Sequence, residues 1–317
     1  GEAVRLAGSS RLAGFVLTHP NLPTPVRASG EALLARIGQG VNPTAGEGTF
    51  SAAPFLRFDP NLNGGFPEDH VTVGGFRFEI AEKDQAVSGL IAGVNLGYGW
   101  RRGLGGGTAL ELRSSLSLGH ALEHDLMKIS AGAEACLRHR ARRDLYVHGC
   151  VDAGGSSFEL GESRRVGARV GVTRRRTGFG GAHELTFGGR VERALSPTRY
   201  DRGVLAVSLL SAMPGPVVWS ARAEIGQPVD GVLVTRARLS LGATFEILER
   251  PTSLSLDWRQ AEGGMFLGET REDRTLTLSV SRPVTDRVRL SVSLSRNAST
   301  ADPYDRDSLG LGVAMRF

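Results

Sequence analysis

Long apolar runs are missing from this 317-residue chain. A membrane-spanning helix needs about eighteen or more consecutive apolar residues, so none is possible here. Lysine is almost missing too. Lys83 and Lys128 are the only two, so the positive side of the formal +5 charge is arginine. Those arginines alternate with apolar residues instead of clustering, which argues against a nucleic-acid partner. Cysteine is limited to Cys136 and Cys150, and aromatics to 6%. There is no CxxC, no HExxH and no metal-ligand spacing, so no cofactor or metal is expected. His120, His124 and His148, with Ser114, Ser115, Ser156 and Ser157, follow no catalytic motif, and no enzyme is expected. Gly103–Gly107 and Gly154-Gly155 precede no helix, so they are turns and not phosphate loops. Gly1 opens no leader-like segment, as expected of a mature or trimmed chain.

What the chain has is glycine, 43 residues spread along its length, and a period of two. Alternate side chains of a strand point to opposite faces. In Ser308–Phe317, Leu309, Leu311, Val313, Met315 and Phe317 share an apolar face, while Gly310, Gly312, Ala314 and Arg316 share the other. The same pattern recurs from Phe50 onward. One face carries Leu90 to Trp100, Leu110 to Leu118, Met127 to Leu137, Leu145 to Val151, Val166 to Val172, Leu185 to Val191, Leu205 to Leu209, Trp219 to Ile225, Ala237 to Ile247, Leu254 to Trp258, Leu276 to Val280 and Val288 to Leu294. Tight turns are expected at Arg102–Gly105, Ala141–Arg143, Thr177–Gly180, Pro214–Pro216, Glu249–Pro251 and Pro283–Asp286. Longer polar loops are expected at His120–Asp125, Phe158–Ser163, Leu195–Tyr200, Pro228–Gly231, Glu262–Asp273 and Asn297–Asp307. Short turns alternating with long loops are the outer-membrane barrel pattern. The expected fold is therefore all-β, a single-chain transmembrane barrel of about 14 antiparallel strands. An even count admits only one of 49–59 and 70–81 as a full strand. Residues 49–59 are taken as the first, and 70–81 as part of the first external loop or folded inward.

The opposite faces carry charge. Glu111 and Arg113 lie on one strand, Lys128 and Glu134 on the next, then Arg165 and Arg169, and then Arg190. Arg222 and Glu224 follow, then Arg236, Arg238 and Glu246, then Arg289 and Arg316. Unpaired charges cannot fill a dry core. A water-filled lumen accommodates them, whereas a soluble sandwich would have to expose the whole polar face. Tyr98, Trp100, Trp219, Trp258 and Tyr304 supply a sparse interfacial girdle. Cys136 and Cys150 fall at roughly matching positions of one hairpin on the inward face. An oxidising compartment would permit a disulfide there, but spacing alone leaves the register, and so the bond, open.

Residues 1–48 differ from the rest. An Ala-, Leu- and Arg-rich stretch with apolar Val4, Leu6 and Leu12 is interrupted by Pro20, Pro23 and Pro25, after which Val26, Leu33, Leu34 and Ile37 keep helical spacing. This is a helical lead-in, expected in the periplasm, with the barrel spanning 49–317.

Asp59-Pro-Asn61-Leu-Asn63, just past the first strand, resembles the D-x-N-V-N signature of the surface lipoprotein assembly modulators (Slam proteins). Pro23–Ile37 looks like the last helical stretch before their barrel. The ending from Arg296-Asn297 through Tyr304-Asp305 to Phe317 is similar to their last hairpin. The resemblance implies an outer-membrane translocator of surface lipoproteins or related secreted β-rich proteins. Its partners would be the client, outer-membrane lipid and the barrel-assembly machinery, the last reading Phe317 as a signal. The family carries a periplasmic repeat domain ahead of the barrel, of which at most a last helix is present here. Without that resemblance, the same barrel suits a passive porin-like channel.

Overall fold

The computed structural model describes residues 46–317, except 64, 67, 74–75, 160, 179–180, 214–216, 302–303 and 316–317. The helical lead-in at 1–45, Arg316 and the terminal Phe317 lie outside the described residues.

The described residues form sixteen strands. They are β1 (Glu47–Asp59), β2 (His70–Val73), β3 (Phe76–Glu79), β4 (Gly89–Gly105), β5 (Thr108–Ala121), β6 (Met127–Arg140), β7 (Leu145–Phe158) and β8 (Gly161–Gly178). They continue as β9 (Gly181–Ser196), β10 (Tyr200–Met213), β11 (Val217–Gly226), β12 (Val234–Ile247), β13 (Arg250–Phe266), β14 (Glu269–Pro283), β15 (Val288–Ser299) and β16 (Arg306–Met315). All but β2 and β3 form one closed antiparallel barrel, each strand beside its sequence neighbour and β16 beside β1. That makes 14 wall strands. β2 and β3 form a separate hairpin in the connection between β1 and β4, followed by a short 3-10 turn at Glu82–Asp84. Residues 47–59 are thus the first wall strand, and 70–79 belong to the first long loop.

Alternation sets inside and outside. Leu205 is 69% exposed, and Val170 and Ile225 each 67%, all on the face predicted to meet lipid. Such exposure of large apolar residues from every wall strand needs an apolar solvent around it. Closure satisfies the backbone, because a barrel in lipid has no water to hydrogen-bond an open edge.

Two expectations about connections change. Polar Phe158–Ser163, Leu195–Tyr200 and Glu262–Asp273 are not long loops. β7 and β8 run to Phe158 and from Gly161, and β13 and β14 meet across Leu267-Gly268, both with positive φ. Most of the expected loop in 262–273 is strand, carried past a bulge at Gly263, whose φ is 101. The physical reason is length. A spanning strand needs only about 9–11 residues, while these wall strands hold 10 to 18. The excess stands beyond the membrane, where polar residues pair into the ladder as readily as apolar ones. Two turns also shift. β4 and β5 join at Gly106-Gly107, and β12 and β13 at Leu248-Glu249. Positive φ at both positions is the hairpin turn that matches strand twist.

β1 starts and β16 ends at the end of the barrel with the short turns (the turn end). The connection 60–88 leaves from the other, the loop end.

Candidate functional site

The site is the loop-end mouth, where the chain after β1 turns into the barrel. The turn begins with Pro60, which has no N–H to give the ladder. The Asn61 amide donates to Asp59 Oδ1 at 3.0 Å. Lys128 on β6 donates from Nζ to Asp59 Oδ2 at 2.7 Å and to the Asn61 carbonyl at 2.9 Å. β4 and β5 stand between β1 and β6 in the wall. At about 4.8 Å per strand that is a separation of roughly 14 Å, so the contact is a chord across the interior. Lys128, an isolated cation in the sequence, is the latch of this segment.

Asn63 holds the other leg. It is 3% exposed. Its Nδ2 donates to the Gln85 carbonyl at 2.7 Å, and its Oδ1 accepts from the amides of Gly65 at 3.1 Å and Val87 at 3.0 Å. Asn61 Nδ2 donates to the Gly65 carbonyl at 2.8 Å. The amide side chain supplies the donor and acceptor that a strand partner would otherwise give. Leu62, 1% exposed, packs with Ile91 and Ala121, with Phe55, Val87 and Leu126 around them. Ile91 and Ala121 point to the lumen, so this cluster is an internal one, seated against the inner wall.

Opposite stands Tyr304. Its ring lies 5.9 Å from Phe66 and 5.4 Å from Phe266, with the Arg271 guanidinium 3.3 Å from its centroid. Arg271 also reaches Asp273 at 2.6 Å. Tyr304 is therefore a packing residue of the mouth and not part of the interfacial girdle. A recess of about 520 Å³ remains between the two sides, lined by Arg57, Asp59, Asn61, Lys128, Arg271, Tyr304 and Arg306 among others.

Below the mouth the lumen is lined with braced charges. Glu111 meets Arg113 at 3.3 Å, Arg101 at 3.6 Å and Arg138 at 4.0 Å. Glu134 pairs with Arg169 at 2.5 Å and Arg190 with Asp152 at 2.7 Å. Arg222 pairs with Glu224 at 2.5 Å, Arg238 with Asp257 at 2.8 Å and Arg236, at a bulge in β12, with Glu262 at 3.7 Å. Arg202, which the sequence reading did not select, joins Glu192 and donates to the Thr235 carbonyl at 3.0 Å. Its signal was parity, since it shares the inward face with the even positions before Leu205. Three predicted charges have no such partner among the described residues. Arg165 lines a recess of about 410 Å³ in the wall of β7 to β12. Glu246 keeps a buried Oε2 without a hydrogen bond. Arg289 sits in register with Pro283 and Ala314.

Cys136 and Cys150 are cross-strand partners and are joined in a disulfide. They are 7% and 5% exposed. A 14-residue separation predicts that the Cys136→Ser, Cys150→Ser pair lowers unfolding free energy by about 3 kcal/mol. Urea titration of the detergent-folded barrel reads this. An unchanged midpoint would mean that the hairpin constrains the unfolded chain without the bond. Among the described residues, no serine hydroxyl lies in hydrogen-bond reach of His120, His124 or His148, which leaves the hydrolase candidates unassembled.

No family model and no curated protein sequence matches the chain. Solved structures do. OprB of Pseudomonas putida is similar with a TM-score of 0.51 at 7% identity, over 90% of this chain and 96% of that one. The outer membrane protein OpdK of Pseudomonas aeruginosa aligns with a TM-score of 0.45 at 8% identity, over 85% of this chain and 98% of that one. The likeness is one of fold. The chain is a closed barrel of the outer-membrane type.

Proposed function

We propose that this barrel is an outer-membrane translocator that moves surface lipoproteins or related secreted β-rich proteins from periplasm to cell surface. One observation carries the reading. Asp59, Asn61 and Asn63, the residues behind the Slam resemblance, are the ones that fold the first loop into the lumen and latch it on Lys128. A conduit wide enough for a polypeptide needs such a closure when no cargo is present. The braced lumen supports the same reading. Most of the lumen arginines are paired with neighbouring carboxylates, which lowers the field that a passing chain meets. No bond is made or broken, so no catalytic group is called for. On this reading the turn end faces the periplasm. The apolar outer face contacts lipid, and Phe317 is the signal to the assembly machinery.

The test is surface labelling of a lipoprotein encoded beside this protein, using an impermeant reagent, with and without the barrel. Loss of labelling without the barrel is expected. Equal labelling in both strains would reject export.

A passive channel for small solutes is the second reading. The recess lined by Arg165, Arg190 and Arg222, about 410 Å³ in volume, suits a small molecule. This reading needs nothing beyond the barrel shared with the solved structures. Rapid swelling of liposomes containing the isolated protein, in sugars or salts and without any client, would favour it.

A further inference from the structure

We propose that the loop-end half of the β1–β16 seam is a docking edge, where an extended polypeptide segment adds to β16 as an extra strand. The proposal deepens the translocator reading and rests on it for its biological meaning.

Among the described residues, β1 and β16 share three register pairs: Phe55 with Ala314, Leu56 with Val313 and Arg57 with Gly312. On its other side β16 pairs with β15 from Met315 to Arg306, over its whole length. Continuing the β1–β16 register would set Phe58 against Leu311 and Asp59 against Gly310. Neither pair forms. Beyond Asp59 the wall loses its strand, because Pro60 cannot donate and Lys128 draws Asp59 and Asn61 inward. The motif that closes the mouth therefore also unzips the seam. Among the described residues, Arg306–Leu311 has no partner strand on the β1 side.

The outer face of that edge is apolar. Leu309 is 48% exposed and Leu311 50%, both on the outer face. A free strand edge is a template for another strand. The recess behind it, with Arg57 and Asp59 on one side and Arg306 on the other, gives the newcomer's inward side chains polar surroundings. Leu309 and Leu311 give its outward ones apolar neighbours. The fitting ligand is an extended segment of roughly six residues, apolar and polar in alternation, held by main-chain hydrogen bonds.

The test uses the full chain in nanodiscs and a defined probe, a biotinylated peptide of alternating valine and threonine. A photo-cross-linker replaces Leu309, or Leu276 on the lipid face of β14 as control. Cross-linking is expected to be several-fold stronger at 309 and to vanish when alternate peptide amides are N-methylated. A Phe58→Cys, Leu311→Cys disulfide should block it by zipping the seam. Equal cross-linking at both positions, or indifference to N-methylation, would overturn the docking edge. The peptide reports on the edge itself, so a negative surface-labelling result would remove the cargo assignment without touching this measurement.

Discussion

Replacing Pro60–Ser88 by an Asn-Gly turn will raise the single-channel conductance of the barrel several-fold. Asp59 and Gly89 are cross-strand partners, so a two-residue hairpin turn joins them without moving either strand. The exchange removes the Lys128 latch, the Asn63 network and the Leu62 plug against Ile91 and Ala121 together. Burial of Leu62 is worth about 1.5–3 kcal/mol, a loss the wall ladder absorbs. Asn63→Ala is a graded version. It strips hydrogen bonds from three buried or partly buried backbone groups, each costing about 1 kcal/mol or more. The segment should then open more often, and flicker in planar-bilayer recordings is the expected trace. Unchanged conductance in the turn variant would place segment 60–88 outside the conducting path.

Leu278→Arg will destabilise the lipid-inserted barrel by about 2–4 kcal/mol, the usual cost of a charge on the lipid face near mid-membrane. Leu278 lies mid-strand in β14, 41% exposed, between Leu256 and Leu294. Thr277→Arg, one residue away, should cost much less. Thr277 faces the lumen and shares a hydrogen bond of 2.9 Å with Ser295, so the new guanidinium meets water there. Urea unfolding from lipid vesicles reads both variants. Equal costs would mean that the two faces of β14 are not lipid and lumen. A one-residue shift of register exchanges the faces of a strand, so this pair also tests the register of β14.

Much of the molecule was legible from alternation. A period of two says directly which side chain of a strand meets lipid, and the number of such segments gave the number of wall strands. Loop lengths were less legible. Polar stretches such as Phe158–Ser163 look like loops because composition does not distinguish a strand beyond the membrane from a loop there. Ion-pair partners were not legible at all. Arg190 meets Asp152, 38 residues earlier, because β7, β8 and β9 stand side by side.

The sequence by itself determined the inside and the outside of the wall, because these follow from local periodicity. The even strand count came from the barrel pattern and not from periodicity, which left both 49–59 and 70–81 as candidate strands. It also marked Asp59, Asn61 and Asn63, without showing what they hold. Only the tertiary structure decided that Lys128 is their latch, 69 residues from Asp59. Only the tertiary structure decided that the chain leaves the wall there, so that β16 outruns its partner. Both depend on where closure brings distant strands in space. Periodicity is a property of neighbours and carries no record of that.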